Sequence, residues 1–152
     1  MLNHKIHSKL SSMAKRKLLF VIGEHQSGKT NGVQDYLVER FGNYWNDYYV
    51  DMGLYLQKEI SAEQIETYSM FPEEFEYDSV NIISQLFKNK QEEFLVIDHC
   101  EWLFAENQTA WLKVLMRETE ESRTIIAIVP EEYRELVPTH AYSFINWGGG
   151  LQ

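Results

Sequence analysis

The run Gly23-Glu24-His25-Gln26-Ser27-Gly28-Lys29-Thr30 has the residue types and spacing to grip a row of phosphates. It satisfies G-x-x-x-x-G-K-[ST] at every fixed position, and each fixed position has a mechanical reason. The glycines let the backbone curl so that successive N–H groups point inward as an anion nest. Lys29 is expected to set its ammonium against the β- and γ-phosphates, and Thr30 to offer its hydroxyl to Mg²⁺. A helix opening at this point adds the partial positive charge of its N-terminus. All eight residues are therefore candidate contacts, with ATP and Mg²⁺ as the expected cofactors.

A phosphate-bound metal needs a second hold. Phe94-Leu95-Val96-Ile97 reads as a buried strand ending in Asp98, an acid suited to order Mg²⁺ and its waters opposite the loop. Thr30 and Asp98 are the metal candidates. Hydrolysis also needs a base or a water-positioning group near the ion. Many ATPases of the RecA and AAA+ branch carry Glu directly after that Asp; here the position is His99. Turnover would then fall to His99, whose neutral nitrogen can polarise a water, or to Glu101 reaching back from the loop. Lys29, Asp98, His99 and Glu101 form the catalytic set. The plain alternative makes Asp98 a helix cap, His99 structural and Glu101 a helix entry at Trp102. Cys100 reads as packed. Arg117, Arg123 and Arg134 are the available arginine fingers, each against a solvated surface role. His4 and His7 lack partners at metal-ligand spacing.

These groups must be placed by elements. Lys17 to Ile22 is an unbroken apolar run, the mark of a strand buried on both faces. Asn31 to Phe41 reads as a helix with Val33, Leu37, Val38 and Phe41 on its apolar side, stopped by Gly42. Tyr48 to Met52, flanked by Asn46, Asp47 and Asp51, reads as an edge strand. Leu54 to Glu66 has mixed helical character, interrupted by Pro72. Ser79 to Asn89 and Thr109 to Glu120 read as helices. Thr124 to Val129 reads as a strand ended by Pro130, Glu131 to Val137 as a short helix, and Tyr142 to Trp147 as a last strand. Trp102, Phe104 and Trp111 are expected to cover the sheet. Tyr44, Trp45, Tyr48, Tyr49 and Tyr55 read as packing for a strand edge, with a base-stacking platform as the alternative.

Alternating strands and helices of this kind argue a mostly parallel sheet of about five strands with helices on both faces. The expected architecture is α/β, a three-layer P-loop NTPase fold without a C-terminal lid domain. Residues 17–147 would form it, with 1–16 as a basic N-terminal arm or helix and 148–152 as a flexible tail.

The 152 residues suit one domain, and the single cysteine excludes an internal disulfide framework. No apolar run approaches the ~20 residues that cross a bilayer, and the leader has no signal-peptide h-region. A cytoplasmic protein with no membrane association is expected. The net charge of −9 is unevenly spread. Lys5, Lys9, Lys15, Arg16 and Lys17 precede the first acid, Glu24, leaving an acidic body. That disfavours broad nucleic-acid binding. DNA contact would be indirect or made by the basic arm, for which a solvated, partly helical role is the plainer reading.

Three classes of phosphate-loop protein compete. A GTPase would need an N-K-x-D guanine reader after the fourth strand, and the one Asn-Lys pair, Asn89-Lys90, precedes Asp98 and continues Gln91-Glu92. A small-molecule kinase usually closes an arginine-bearing lid, and only Arg134 lies in the interval for it. An ATPase or ATP-driven switch working within an assembly fits better, and a non-hydrolysing adaptor stays open. With its short length, the loop Gly23 to Thr30 near the start, FLVIDHCEW over Phe94 to Trp102, and an end soon after a fifth strand, the chain resembles the BrxF family of small P-loop proteins from BREX phage-defence systems. The resemblance implies a bacterial cytoplasmic protein within a multi-protein, DNA-protecting complex, its nucleotide held by Gly28, Lys29, Thr30 and Asp98. Self-association is compatible with this reading.

Overall fold

The computed structural model describes residues 1–13, 17–121, 123–139 and 142–148. Lys15 and Arg16 of the basic leader, and residues 149–152 of the expected tail, lie outside the described residues. The elements run α1 (Leu2–Ser12), β1 (Leu18–Gly23), α2 (Lys29–Phe41), β2 (Tyr49–Asp51), α3 (Met52–Glu59), α4 (Ala62–Met70), α5 (Pro72–Asn89), β3 (Phe94–Asp98), α6 (Leu112–Glu121), β4 (Thr124–Pro130) and β5 (Ser143–Asn146). Short 3-10 helices span Gly42–Tyr48, Glu101–Asn107 and Glu131–Leu136.

All five strands are parallel, in the order β2-β3-β4-β1-β5. β1 and β3 are buried throughout, and β4 at every residue but its first. Alternate residues serve opposite layers. Leu18, Phe20 and Ile22 share one apolar layer with Leu56 of α3, Ile83 and Leu86 of α5, and Leu115 of α6. Leu19 and Val21 share the other with Ile6 and Leu10 of α1 and with Val33 and Leu37 of α2. Each such side chain contributes roughly 1.5–3 kcal/mol when fully buried. The architecture is α/β in three layers, as the alternation of elements predicts.

This layering creates the site. After β1 the chain turns into α2 on one face; after β3 and β4 it continues on the other. Because the strands are parallel, Gly23, Asp98 and Pro130 all end at one sheet edge. A crevice opens there, where neighbouring connections diverge.

Several local expectations need correction. The first helix after β1 starts at Lys29, and its buried residues are Lys29, Val33, Tyr36 and Leu37. Val38 is 47% exposed, because Tyr36 fills the layer instead. Pro72 does not interrupt a helix but opens one: it takes the first turn of α5, where its missing N–H costs nothing. The segment before it is two helices, capped by Asp51 and Ser61, whose side chains accept from Leu54 N and Gln64 N. Trp102 is 44% exposed rather than covering the sheet, whereas Phe104 and Trp111 are buried. The leader is helical, and it is docked rather than solvated on every side. Leu2, Ile6 and Leu10 are buried, and the Asn3 amide donates to Glu39 Oε1 at 2.8 Å.

Candidate functional site

The phosphate-type loop leaves β1 at Gly23 and enters α2 at Lys29. Its glycines are demanded by geometry. A Cβ on Gly23 would sit 2.1 Å from the Trp147 carbonyl oxygen. Gly28 is the N-cap of α2 with φ of 90°, in the left-handed region that glycine tolerates best. Beyond it lie the first N–H groups of α2, which have no intrahelical acceptor.

Lys29 is 7% exposed. Its ammonium donates to the carbonyls of Gly23 at 2.7 Å and Glu24 at 2.5 Å, with Ser27 Oγ at 3.5 Å. Burial lowers its pKa from the usual lysine value, opposed by the carboxylates of Asp98, Glu101, Glu24 and Glu131. One ammonium therefore faces four acids.

Asp98 ends β3 across the crevice and is 3% exposed. Its carboxylate accepts three hydrogen bonds, each 2.7 Å long. Thr30 Oγ1 and the Tyr49 hydroxyl donate to Oδ2, and the His99 backbone N–H donates to Oδ1. The Thr30 bond joins the loop to β3 over 68 residues of sequence. Tyr49 comes from β2, and its own pKa is pushed far up by burial and then by Asp98, so the phenol stays a donor.

His99 turns the chain out of β3 with φ of 58°, a conformation that histidine reaches more readily than most residues. Its Nε2 lies 3.9 Å from Asp51 Oδ2 and 3.7 Å from Asp98 Oδ2. Together with Glu101 it lines a cleft of about 680 Å³ that also takes in His25, Gln26, Gly28, Lys29 and Thr30. The structure thus brings all the expected site residues to one edge of the sheet. Glu24 and Ser27 enter through their contacts with Lys29, while His25 is exposed with Nε2 3.2 Å from Glu132. Cys100 is fully buried, and burial raises its thiol pKa well above the ordinary value.

The expected arginines are engaged elsewhere. Arg134 forks onto Glu131. Arg123 donates to the Phe87 and Lys90 carbonyls at the end of α5 and pairs with Glu118. Arg117 donates to Ser84 Oγ at 3.4 Å.

Two site residues escape sequence reasoning. Tyr49 appears there only as strand-edge packing. Trp147 appears only as the end of a strand, yet its backbone N–H donates to Ile22 O and its indole N–H to Ser27 O, both at 2.8 Å. Alternation along β2, which sets Tyr49 and Asp51 on the same side as Asp98 in register, is the signal that could have found the first. Nothing local marks the second.

Among the described residues, no three His, Cys, Asp or Glu side chains are arranged to hold a metal ion. No helix among them is long and apolar enough to cross a membrane. Compared with known proteins, the chain matches no family model, no curated protein and no solved structure.

Proposed function

We propose that the protein binds a nucleoside triphosphate with Mg²⁺ at the crevice between β1 and β3, as an ATPase or nucleotide-dependent switch. The observation that carries this reading is the hydrogen bond from Thr30 to Asp98. It joins a G-x-x-x-x-G-K-T loop at the end of β1 to a buried acid at the end of β3. Phosphates would lie against the amides opening α2 and the Lys29 ammonium. Mg²⁺ commonly takes one or two protein ligands and fills its shell with phosphate oxygens and water. Thr30 and Asp98 suit that role, and the lack of a three-acid cluster agrees with it.

The charge balance gives the metal a definite task. A triphosphate entering a cleft where Lys29 faces Asp98, Glu101, Glu24 and Glu131 meets repulsion, unless a divalent ion offsets it. Nucleotide binding should therefore be strongly Mg²⁺-dependent. The chain's own residues do the remaining work: Tyr49 and the His99 amide hold the Asp98 carboxylate still, and Trp147 braces the loop. His99 and Glu101 line the cleft and are the groups available to orient a water.

A role within a multi-protein, DNA-protecting assembly of the BREX kind, in the cytoplasm, belongs to this proposal and rests on the resemblance alone. A non-hydrolysing adaptor is the second reading, favoured by His99 standing where a glutamate is usual. ATP turnover by the wild type beside Lys29→Ala and Asp98→Ala, alone and with DNA or candidate partners, separates the two. Turnover lost in both variants supports the ATPase; Mg²⁺-dependent binding without turnover supports the adaptor; phosphate transfer to a metabolite would make it a kinase.

A further inference from the structure

We propose that a groove beside the nucleotide cleft docks a cationic amphipathic segment of another protein, and that Glu101 links this seat to the cleft. The groove holds about 350 Å³ and is lined by Ile60, Ile65, Tyr68, Phe75, Trp102 and Tyr133, with Glu101 at its border. Its walls are set by ring packing. Tyr68 lies 5.0 Å from Phe75, centroid to centroid, and Tyr133 stacks on Phe104 at 4.6 Å. α4, which supplies Ile65 and Tyr68, buries no residue within its own fold. Ile65 and Trp102 are each 44% exposed, and Met70 and Phe71 at the end of α4 are more exposed still. A preformed apolar groove flanked by such residues suits a large apolar anchor from a partner.

Charge selects the occupant. From Glu59 to Phe87 the chain carries Glu59, Glu63, Glu66, Glu73, Glu74, Glu76 and Asp78, and no Lys, Arg or His. Acids also act on the groove's own phenols: Asp78 and Glu74 raise the pKa of Tyr68, and Glu132 and Glu101 that of Tyr133, in both cases after burial as the largest cause. The nearby Arg134 is tied to Glu131. Such a rim repels nucleic acid and anionic membranes and attracts Lys and Arg flanking an apolar anchor. The chain's own basic amphipathic helix is not free to serve from a second copy, because Leu2, Ile6 and Leu10 of α1 are buried against the body. The occupant is therefore a different protein.

Glu101 lines both the groove and the nucleotide cleft, and it is one of the carboxylates facing Lys29. A partner cation beside Glu101 offsets negative charge over the phosphate position. Docking and nucleotide binding then tighten each other by the same factor, at least roughly fivefold on the usual scale of such coupling. This link rests on the nucleotide-binding reading; the groove does not.

The test uses the whole chain and a fluorescein-labelled helical peptide of Leu and Lys, with a Leu/Glu twin as control. Anisotropy is measured first without nucleotide. Saturable binding of the Lys peptide is expected, weakened at least about tenfold by Trp102→Ser, Ile65→Ser or the pair Glu74→Lys and Glu132→Lys. It should be unchanged by Asp35→Lys on exposed α2, with circular dichroism confirming that each variant is folded. Absent binding, equal binding of the Glu twin, or equal binding by the groove variants overturns the docking site. A wild-type dimer lost in Trp102→Ser would assign the groove to a second copy instead, and so overturns it too. Repeating the titration with Mg-ATP separates the two ideas. If calorimetry shows ATP bound but peptide affinity stays the same, the Glu101 link is wrong. If ATP does not bind at all, the nucleotide reading falls and the groove stands.

Discussion

Replacing Tyr49 with Phe removes one oxygen and leaves the ring, so it isolates the hold that β2 has on Asp98. The buried carboxylate accepts from Thr30, Tyr49 and the His99 amide, each at 2.7 Å. A hydrogen bond to a charged group contributes about 1.5–3 kcal/mol net, and ring packing is preserved in the variant. A loss of about 2 kcal/mol follows, which for a chain of this size lowers Tm by about 4–8 °C. Urea unfolding of wild type, Tyr49→Phe, Asp98→Asn and the double variant closes a thermodynamic cycle. The coupling between the two positions should be at least about 1 kcal/mol. In addition, Tyr49→Phe should weaken Mg²⁺-dependent nucleotide binding more than binding in EDTA, since the phenol acts through the acid that orders the metal. A coupling within roughly 0.3 kcal/mol of zero would refute the claim that Tyr49 positions Asp98.

Other outcomes are equally checkable. Burial lowers the Lys29 pKa, so just below 10.5 the unfolded chain binds more protons than the folded one, and stability rises with pH across that window. Tyrosines such as Tyr49, whose folded pKa is raised above 10, oppose this only at higher pH. Urea midpoints at pH 8 and pH 10 should therefore show a rise in the wild type that Lys29→Gln lacks. Gly23→Ala forces a Cβ against the Trp147 carbonyl and should cost at least about 1–3 kcal/mol in thermal or urea unfolding, while loosening the loop. If the protein hydrolyses ATP, either Glu101→Gln or His99→Ala should reduce turnover by about 10²-fold or more with little change in nucleotide affinity. Turnover retained in both would remove them from the catalytic set.

What was legible in the sequence follows a physical divide. β1, β3 and β4 could be read because central parallel strands are apolar on both faces, and the loop because its glycines and Lys29 obey local rules. Asp98 followed from ending such a strand. Contacts that join distant parts were harder to read. Trp147 meets Ser27 across 120 residues, and no neighbouring residue marks that encounter. Tyr48 and Tyr49 look alike in sequence; the pleat of a three-residue strand decides which one reaches Asp98. Pro72 has two meanings, helix breaker or first-turn residue, and the pair Glu73-Glu74 behind it was the cue for the second. The leader's Leu2, Ile6 and Leu10 repeat every four residues, a helical stripe that charge counting obscured.

Isothermal titration calorimetry of Mg-ATP into the wild type, Lys29→Ala and Asp98→Ala, each checked for folding by circular dichroism, bears most directly on the site. Saturable uptake by the wild type, dependent on Mg²⁺ and lost or much weakened in both variants, is the expected result. No uptake of ATP, ADP or GTP with Mg²⁺ by the folded wild type would contradict it.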